Sequence, residues 1–298
     1  MSKLPSSSLI GNPVSHSVSN LLFSYLAELT DMKDYKHQKM LVEHLSAFVK
    51  TATKNVRFGY NVTLPYKRVI MPLLDDLSTE AKTIGAVNTV IFRNGEQVGC
   101  NTDWYGLYQS IKTFYKDYQS IDKITILGTG GASRAAIYAA KKLAAKVVVV
   151  YRANPLSTNS QEMMEESSEL GIEMVPYDAS VPAIRTSQCI IQTTSAGMIG
   201  TNTQFPFDDA VLADLLKDIG SCNCYVDAVF NPVETPTLKL FKNRAMTIDG
   251  LWMMIFQAIQ ALSFWSNKNL NFSTNALIRV HRQLMADISA SNEPKYQA

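Results

Sequence analysis

Cysteine is scarce in this sequence, which contains four in 298 residues. Cys222 and Cys224 are close enough in sequence to share a metal ion, but no second pair and no nearby histidine completes the four ligands of a zinc site. Cysteines without such a pattern are usually buried, reduced thiols. We therefore expect free thiols in or beside strands and no bound metal ion.

The sequence also lacks an excess of one charge and a long apolar run. Its formal net charge is +2, and its Lys and Arg are scattered rather than gathered into the basic stripe of a nucleic-acid surface. The most apolar stretch, residues 251–265, is interrupted by Gln257 and Gln260 and is too short to cross a bilayer of about 30 Å. No signal-peptide pattern follows Lys3. These features predict a soluble, cytoplasmic protein that binds neither nucleic acid nor membranes.

A change of pattern near residue 104 indicates two domains, as the length of the chain also does. From there, short apolar strands alternate with helical segments. We predict strands at 123–127, 147–151, 189–192 and 225–230, with a helix at 131–143. This alternation predicts a parallel sheet with helices on both faces.

The first hundred residues predict a different α/β arrangement. The segment at 9–14 is typical of a short strand that ends in a Gly-Asn-Pro turn. The apolar run at 58–64 is typical of a second strand, and Pro65 suits the start of a helix. An Asn-Gly pair at 94–95 between two further strand-like runs predicts a β-hairpin. Two helices after residue 250 close the chain.

A glycine-rich segment lies between the predicted strand at 123–127 and the helix that follows it. Its residues are Gly128, Thr129, Gly130, Gly131 and Ala132. The N-terminus of a helix offers unpaired N–H donors and the positive end of the helix dipole, which stabilise a pyrophosphate. Glycines allow the backbone to approach the phosphates closely. The segment therefore predicts a dinucleotide-binding loop.

The end of the second predicted strand bears on the choice of dinucleotide. An Asp or Glu there would bind the 2′-hydroxyl of NAD, whereas this chain has Arg152 and no carboxylate. An arginine can instead pair with the 2′-phosphate of NADP. We therefore favour NADP as the cofactor, with NAD as a possible alternative.

Several polar motifs follow predicted strands outside this dinucleotide region. They contribute hydroxyls, amides, one cation and one carboxylate, which suit a small hydroxy acid substrate. The motifs are Ser15-His16-Ser17-Val18-Ser19, Asn61-Val62-Thr63-Leu64-Pro65-Tyr66-Lys67, Gly85-Ala86-Val87-Asn88-Thr89 and Asn101-Thr102-Asp103, with Gly250 and Gln257 late in the chain.

Taken together and in this order, the motifs and the glycine-rich loop resemble the shikimate dehydrogenase family, including its quinate/shikimate branch. The resemblance implies an enzyme that reversibly reduces 3-dehydroshikimate to shikimate with NADP(H), in chorismate and aromatic amino acid biosynthesis. It also implies a substrate-binding domain at 1–104 completed by 250–298, and a Rossmann-type, doubly wound NAD(P)-binding domain at 105–249. The active site is then expected in the cleft between the domains.

The resemblance assigns roles to individual residues. Lys67 and Asp103 would flank the reacting hydroxyl, although Asp103 could also cap the following helix. Ser17 and Ser19 would bind the substrate carboxylate. The ring hydroxyls would be bound by Asn61, Thr63, Asn88 and Gln257. The pyrophosphate would be bound by Gly128, Thr129, Gly130, Gly131 and Ala132. The 2′-phosphate would be bound by Arg152, and Gly250 would lie beside the nicotinamide.

Two alternatives stay open from the sequence. Phe230 stands where the family has a Tyr that contacts the substrate, so an NAD-dependent quinate/shikimate dehydrogenase is the second enzymatic interpretation. A metabolite-sensing relative without activity is the third, and the retention of Lys67 and Asp103 argues against it. A monomer and a homodimer are both compatible with the sequence.

Overall fold

The computed structural model describes residues 6–32, 34–143 and 145–292. The described residues form two compact units, one containing 6–106 and 254–292 and the other containing 107–253. Each unit is built on its own six-stranded sheet. The predicted fold class, two α/β domains of which one is Rossmann-type, is confirmed.

The first unit has a mixed sheet in the order β2-β1-β3-β5-β6-β4. The strands β1, β2 and β3 are parallel to one another, and the β5–β6 hairpin joins them with antiparallel pairing. The strands are β1 (Ser7–Gly11), β2 (His37–Leu41), β3 (Gly59–Val62), β4 (Asp76–Leu77), β5 (Thr89–Arg93) and β6 (Glu96–Cys100); the helices before residue 106 are α1 (Ser19–Glu28), α2 (Leu45–Asn55), α3 (Tyr66–Val69), α4 (Thr79–Ile84) and the start of α5 (Asp103–Phe114).

The predicted hairpin forms around Asn94 and Gly95. Their φ angles are 52° and 87°, the positive values that a two-residue hairpin turn needs. The turn sets the register, so that Arg93 pairs with Glu96 and Thr89 with Cys100. This register brings the residues before β5 close to those after β6.

The second unit has an entirely parallel sheet in the order β9-β8-β7-β10-β11-β12. This is the strand order of the dinucleotide-binding Rossmann fold, which changes direction between its first and fourth strands, here β7 and β10. The strands are β7 (Lys123–Leu127), β8 (Lys146–Tyr151), β9 (Glu173–Pro176), β10 (Cys189–Gln192), β11 (Cys224–Asp227) and β12 (Met246–Ile248); the helices are α6 (Gly131–Lys142), α7 (Thr158–Glu165), α8 (Ser167–Leu170), α9 (Val181–Arg185), α10 (Asp209–Lys217) and α11 (Pro236–Phe241).

Strand β11 ends three residues earlier than the sequence predicts. The carboxylate of Asp227 accepts hydrogen bonds from the backbone N–H of Val229 at 3.0 Å and from Thr235 Oγ1 at 2.6 Å. These bonds turn the chain away from the sheet. Burial raises the pKa of Asp227 to about 6, and the two hydrogen bonds oppose that rise.

Two long helices complete the chain, α12 (Gly250–Ser266) and α13 (Thr274–Asn292). Ser273 accepts a hydrogen bond from the Ala276 N–H at 3.3 Å, which caps α13. The apolar stretch at 251–265 lies within α12. Among the helices in the described ranges, none combines the length and apolarity that crossing a membrane requires. All four cysteines are buried free thiols.

His37 is a buried titratable group in β2. Its ring stacks on Phe23 with the ring centroids 4.2 Å apart, and its Nδ1 lies 2.7 Å from Ser7 Oγ. Among the described residues, no hydrogen-bond partner faces its Nε2. Burial lowers the pKa of His37 from 6.5 to about 3, because a charged imidazole would lose its hydration there.

We predict that His37 makes the first unit less stable in acid. The unfolded chain binds a proton on His37 below pH 6.5, whereas the folded chain does not do so until about pH 3. The part of the free energy of unfolding that depends on a neutral His37 is therefore fully present above pH 6.5 and is lost as the pH falls. The slope is about 1.4 kcal/mol per pH unit. Urea unfolding between pH 4 and 7 should therefore show a shallower pH dependence for His37→Gln than for the wild type. Parallel curves for the two proteins would contradict the assignment.

Candidate active site

Lys67 and Asp103 form the ion pair at the centre of the candidate site. Lys67 Nζ lies 2.7 Å from Asp103 Oδ2, and the side chains are 21% and 8% exposed. Lys67 is in the short helix α3, whose position is fixed by a 2.7 Å hydrogen bond from the Val87 N–H to the Lys67 carbonyl. The pair is therefore held by backbone contacts and is still partly open to solvent on the lysine side.

Asn101, rather than Asp103, caps helix α5. Its Oδ1 accepts hydrogen bonds from the N–H groups of Asp103 at 3.0 Å and Trp104 at 3.5 Å. Its Nδ2 donates to the Ala86 carbonyl at 2.9 Å. The capping role considered for Asp103 is thus filled by its neighbour, which leaves the Asp103 carboxylate for the site.

Asn88 supports the second oxygen of that carboxylate. Its Nδ2 donates to Asp103 Oδ1 at 2.8 Å and to Thr102 Oγ1 at 3.0 Å, and its Oδ1 accepts from the Thr102 N–H at 2.6 Å. Asn88 is almost completely buried. Its amide thus orients Asp103, in addition to the substrate contact that the sequence predicts for it.

Asn61 and Gln257 are linked to Asn88 and its neighbours by hydrogen bonds to two buried threonines, Thr89 and Thr102. Asn61 Nδ2 donates to Thr89 Oγ1 at 3.0 Å and to the Asn88 carbonyl at 3.2 Å. Gln257 Oε1 lies 3.2 Å from Thr102 Oγ1, and Gln257 Nε2 donates to the Met254 carbonyl at 3.0 Å. Five of the predicted residues are therefore linked by hydrogen bonds: Asn61, Lys67, Asn88, Asp103 and Gln257.

Ser17 and Ser19 lie at the start of helix α1. Ser17 Oγ accepts a hydrogen bond from the Ser19 N–H at 3.2 Å. Ser19 Oγ is buried and has no hydrogen-bond partner among the described residues. Lys39 Nζ donates to the carbonyls of Ser15 at 2.8 Å and Ser17 at 2.9 Å. A buried serine hydroxyl available for a ligand, a helix N-terminus and a nearby cation suit a carboxylate ligand.

Thr63 lies in the turn between β3 and α3, beside the end of β1. The Thr63 N–H donates to the Ile10 carbonyl at 2.9 Å. A Cβ at Gly11 would lie 2.5 Å from Thr63 Cγ2, so only glycine allows this approach. Strand β1 ends at Gly11 and is followed by a bend at Asn12 and Pro13, in agreement with the predicted Gly-Asn-Pro turn.

The glycine-rich loop joins β7 to α6 in the second unit, as predicted. Gly128 has φ +109°, and a Cβ there would meet Thr194 Cγ2 at 2.9 Å, so the protein itself requires this glycine. Gly130 is different. Its φ of −78° suits any residue, and a Cβ built on it meets no atom within 4 Å.

Hydrogen bonds hold both ends of this loop. Thr129 Oγ1 lies 3.0 Å from Ser160 Oγ in α7, and Ser133 Oγ lies 2.7 Å from Thr193 Oγ1 after β10. The loop is thus a fixed cradle at the point where the strand order reverses, and Gly130 leaves space beside the first turn of α6. A pyrophosphate fits these groups.

The other two residues predicted for the dinucleotide have different surroundings. Arg152 directly follows β8 and is exposed. Burial raises the pKa of Tyr177 to about 12, and the positive charge of Arg152 opposes this rise. Gly250 packs against the segment that follows β11, where a Cβ would lie 2.5 Å from the Val229 carbonyl oxygen. Backbone packing therefore accounts for this glycine without a ligand.

Comparison with known proteins identifies the family. The family model of the shikimate dehydrogenase substrate binding domain matches residues 9–90. The "Shikimate dehydrogenase (NADP(+))" of Streptococcus mutans is 30% identical over 275 residues, covering 88% of this chain and 91% of the relative. The chain belongs to the shikimate dehydrogenase family.

Other members agree over most of their length. The enzyme of the same name from Lactococcus lactis subsp. cremoris is 32% identical over 273 residues, covering 88% of this chain and 92% of that one. The crystal structure of shikimate 5-dehydrogenase from Thermus thermophilus in complex with NADP(H) and shikimate superposes with a TM-score of 0.78 at 25% identity, covering 94% and 99% of the two chains. The family resemblance stated from the motifs is confirmed.

Three site residues have no role in the sequence prediction, namely Lys39, Thr89 and Thr102. The threonines lie within quoted motifs, and the Asn-Gly turn provides a signal for them. Counting outward from that turn pairs Thr89 with Cys100 and thereby brings Asn88 and Thr89 near Thr102. Lys39 carries no such signal, because its contact depends on the pairing of β1 with β2.

We predict that Gly130→Ala weakens dinucleotide binding with little effect on folding. The added methyl meets no atom of the described residues within 4 Å, so the free energy of unfolding should change by no more than about 1 kcal/mol, the usual cost of alanine at a helix N-cap. The Kd for NADPH should rise by at least about tenfold, because the methyl occupies the space left for the pyrophosphate. Calorimetric titration with NADPH measures this change.

Gly128→Ala is the matched comparison. Its positive φ and the contact with Thr194 predict a loss of thermal stability in addition to weaker binding. An unchanged Kd for NADPH in folded Gly130→Ala would show that no phosphate approaches this position.

Proposed function

We propose that this chain is a shikimate dehydrogenase, which reversibly reduces 3-dehydroshikimate to shikimate with NADPH. The observation that carries the proposal is the ion pair of Lys67 and Asp103, with 2.7 Å between Nζ and Oδ2. Interconversion of a ketone and a secondary alcohol needs a group that exchanges a proton with the oxygen. The names of the Streptococcus and Lactococcus relatives support this substrate and cofactor.

In this proposal Lys67 exchanges the proton. Its ammonium donates to the carbonyl oxygen during reduction, and its neutral amine accepts the proton from the alcohol during oxidation. Asp103 holds Lys67 Nζ in position and has lone pairs left to accept a hydrogen bond from the substrate hydroxyl. When bound, NADPH supplies the hydride and NADP⁺ accepts it.

The remaining polar groups would bind the acid and its ring hydroxyls. We assign the carboxylate to Ser17 and Ser19. This is supported by Ser19 Oγ, which is buried and has no hydrogen-bond partner within the described part of the chain. Both amide hydrogens of Asn61 are used by Thr89 and by the Asn88 carbonyl, so Asn61 would accept a ring hydroxyl through its Oδ1. We assign Thr63, Asn88 and Gln257 to the other ring hydroxyls. Both amide hydrogens of Asn88 are bonded within the site, so Asn88 would exchange one of these bonds for the substrate contact.

The dinucleotide would be held by the second unit. We assign the pyrophosphate to residues 128–132, a role supported by the open space at Gly130 and the N-terminus of α6. Arg152 is assigned to the 2′-phosphate and Gly250 to the nicotinamide. In this proposal, residues 1–104 and 250–298 bind the substrate and residues 105–249 bind the dinucleotide. The active site would lie in the cleft between these domains.

The same proposal includes the cellular setting. We assign the reaction to chorismate and aromatic amino acid biosynthesis, in the cytoplasm, by a monomer or homodimer. The named activity of the relatives supports the pathway.

We predict that Lys67→Ala lowers kcat for shikimate oxidation by ~10²-fold or more, the usual effect of losing an acid or base. The KM for shikimate should change much less. Lys82→Ala is the matched control, since Lys82 also pairs with an aspartate, Asp76, at 3.0 Å, but both side chains are well exposed. Steady-state NADPH formation, followed by its absorbance, measures both variants. Turnover of Lys67→Ala within a few-fold of the control would remove Lys67 from the mechanism.

We predict that Arg152→Ala raises the KM for NADP⁺ and leaves the KM for NAD⁺ nearly unchanged. A charged hydrogen bond to the 2′-phosphate is worth roughly 1.5–3 kcal/mol, which corresponds to about tenfold to over a hundredfold in affinity. NAD⁺ lacks this phosphate and serves as the control within each protein. Equal effects on both dinucleotides would mean that Arg152 does not recognise the 2′-phosphate.

A further inference from the structure

We propose that Thr102 and Thr89 are positioning residues that set the orientation of the Asp103 carboxylate through Asn88. This inference rests on the proposed function, because it concerns the groups assigned to the reaction. Both threonines are 0% exposed. They therefore act through other side chains rather than on the substrate itself.

The orientation of the Asn88 amide is fixed by a group that can only donate. The backbone N–H of Thr102 lies 2.6 Å from Asn88 Oδ1, and Thr89 Oγ1 lies 3.1 Å from the same oxygen. An amide turned the other way would place its NH₂ against that N–H. Asn88 Nδ2 must therefore face Asp103 Oδ1, at 2.8 Å.

The direction of the other hydrogen bonds in the cluster follows from a second group whose role is fixed. The Met254 carbonyl can only accept, so Gln257 Nε2 faces it at 3.0 Å and Gln257 Oε1 faces Thr102. Thr102 then donates its one hydrogen to Gln257 Oε1 at 3.2 Å and accepts from Asn88 Nδ2 at 3.0 Å. Thr102 is thus the only hydroxyl, among the described residues of this cluster, that satisfies Asn88 and Gln257 together.

Thr89 has the corresponding place on the other side of Asn88. It accepts from Asn61 Nδ2 at 3.0 Å and donates to Asn88 Oδ1. A single direction of hydrogen bonding therefore runs from Asn61 through Thr89 to Asn88, and from there to Asp103 and through Thr102 to Gln257. Removing either hydroxyl takes one hydrogen-bond partner from the Asn88 amide. The Thr102 N–H still fixes which end of the amide faces Asp103, but the amide is then held by fewer bonds and is less rigid.

A less rigid Asn88 amide would weaken one of the two contacts that hold Asp103. The carboxylate is bound by Lys67 on Oδ2 and by Asn88 on Oδ1. With Oδ1 held less firmly, Asp103 and the ammonium paired with it can shift relative to the reacting oxygen. Misplacement of a catalytic group by about 1 Å can cost on the order of 10²-fold in rate.

The test uses isosteric removal of each hydroxyl in the full-length enzyme. Thr102→Val and Thr89→Val should each lower kcat for shikimate oxidation by about tenfold to a hundredfold, with the KM for shikimate changed by less than about fivefold. Thr102→Ser restores the hydroxyl and should recover kcat to within about threefold of the wild type, because the hydrogen bonds and not the methyl group carry the effect.

Thr125→Val is the matched control for a purely structural effect. Thr125 is also a 0% exposed strand threonine. It belongs to the second unit, where its hydroxyl lies 2.8 Å from Ser187 Oγ of the same unit. We expect a lower Tm and a kcat within about twofold of the wild type, since no assigned site residue is bonded to it.

Either valine variant is sufficient to decide the inference. A folded Thr102→Val or Thr89→Val with wild-type kcat, or a Thr102→Ser that remains as slow as Thr102→Val, would overturn it. The wild type is assayed alongside. An inactive wild type would count against the proposed function, whereas an active wild type with unaffected variants would count against the positioning role alone.

Discussion

The backbone N–H of Thr102 is directed at the side-chain oxygen of Asn88, 2.6 Å away, and the arrangement of the candidate site depends on this bond. A backbone N–H cannot reverse its role, so it determines which end of the Asn88 amide faces Asp103. Asp103 in turn holds Lys67 Nζ at 2.7 Å. A main-chain group in the segment between β6 and α5 therefore fixes the placement of the proposed proton donor.

The cost of burial explains why this cluster is so completely bonded. Asn61, Asn88, Thr89, Thr102 and Asp103 are all buried. Buried polar groups without partners, and buried charges without counter-charges, cost several kcal/mol. A fully satisfied network has few alternative arrangements, which gives the site the rigidity that a catalytic pair needs. By contrast, Ser19 Oγ lacks a partner among the described residues, as expected for a group that bonds to a ligand.

Much of this architecture could be predicted from the sequence. The strands at 123–127 and 189–192 have the predicted bounds, since each is a short apolar run between clear breaks. The hairpin follows from Asn94-Gly95, and the glycine-rich loop from its place between a strand and a helix. Strands such as β2, with one buried residue out of five, have no such pattern and were not predicted.

Tertiary contacts account for the remaining differences. Strand β11 ends early because of the hydrogen bonds of Asp227. The roles of Thr89 and Thr102 likewise depend on neighbours that are distant in sequence, above all Gln257. Sequence motifs identify the residues that can bind a ligand. The residues that hold those side chains in position are found only from the tertiary structure.

The central claim is that this chain oxidises shikimate with NADP⁺. Initial rates of the wild-type enzyme with shikimate and quinate, each with NADP⁺ and NAD⁺, test it most directly. We predict the highest kcat/KM for shikimate with NADP⁺. A preference for quinate with NAD⁺ would contradict the assigned substrate and cofactor, and no turnover in any of the four combinations, with binding retained, would indicate a metabolite-sensing relative instead of an enzyme.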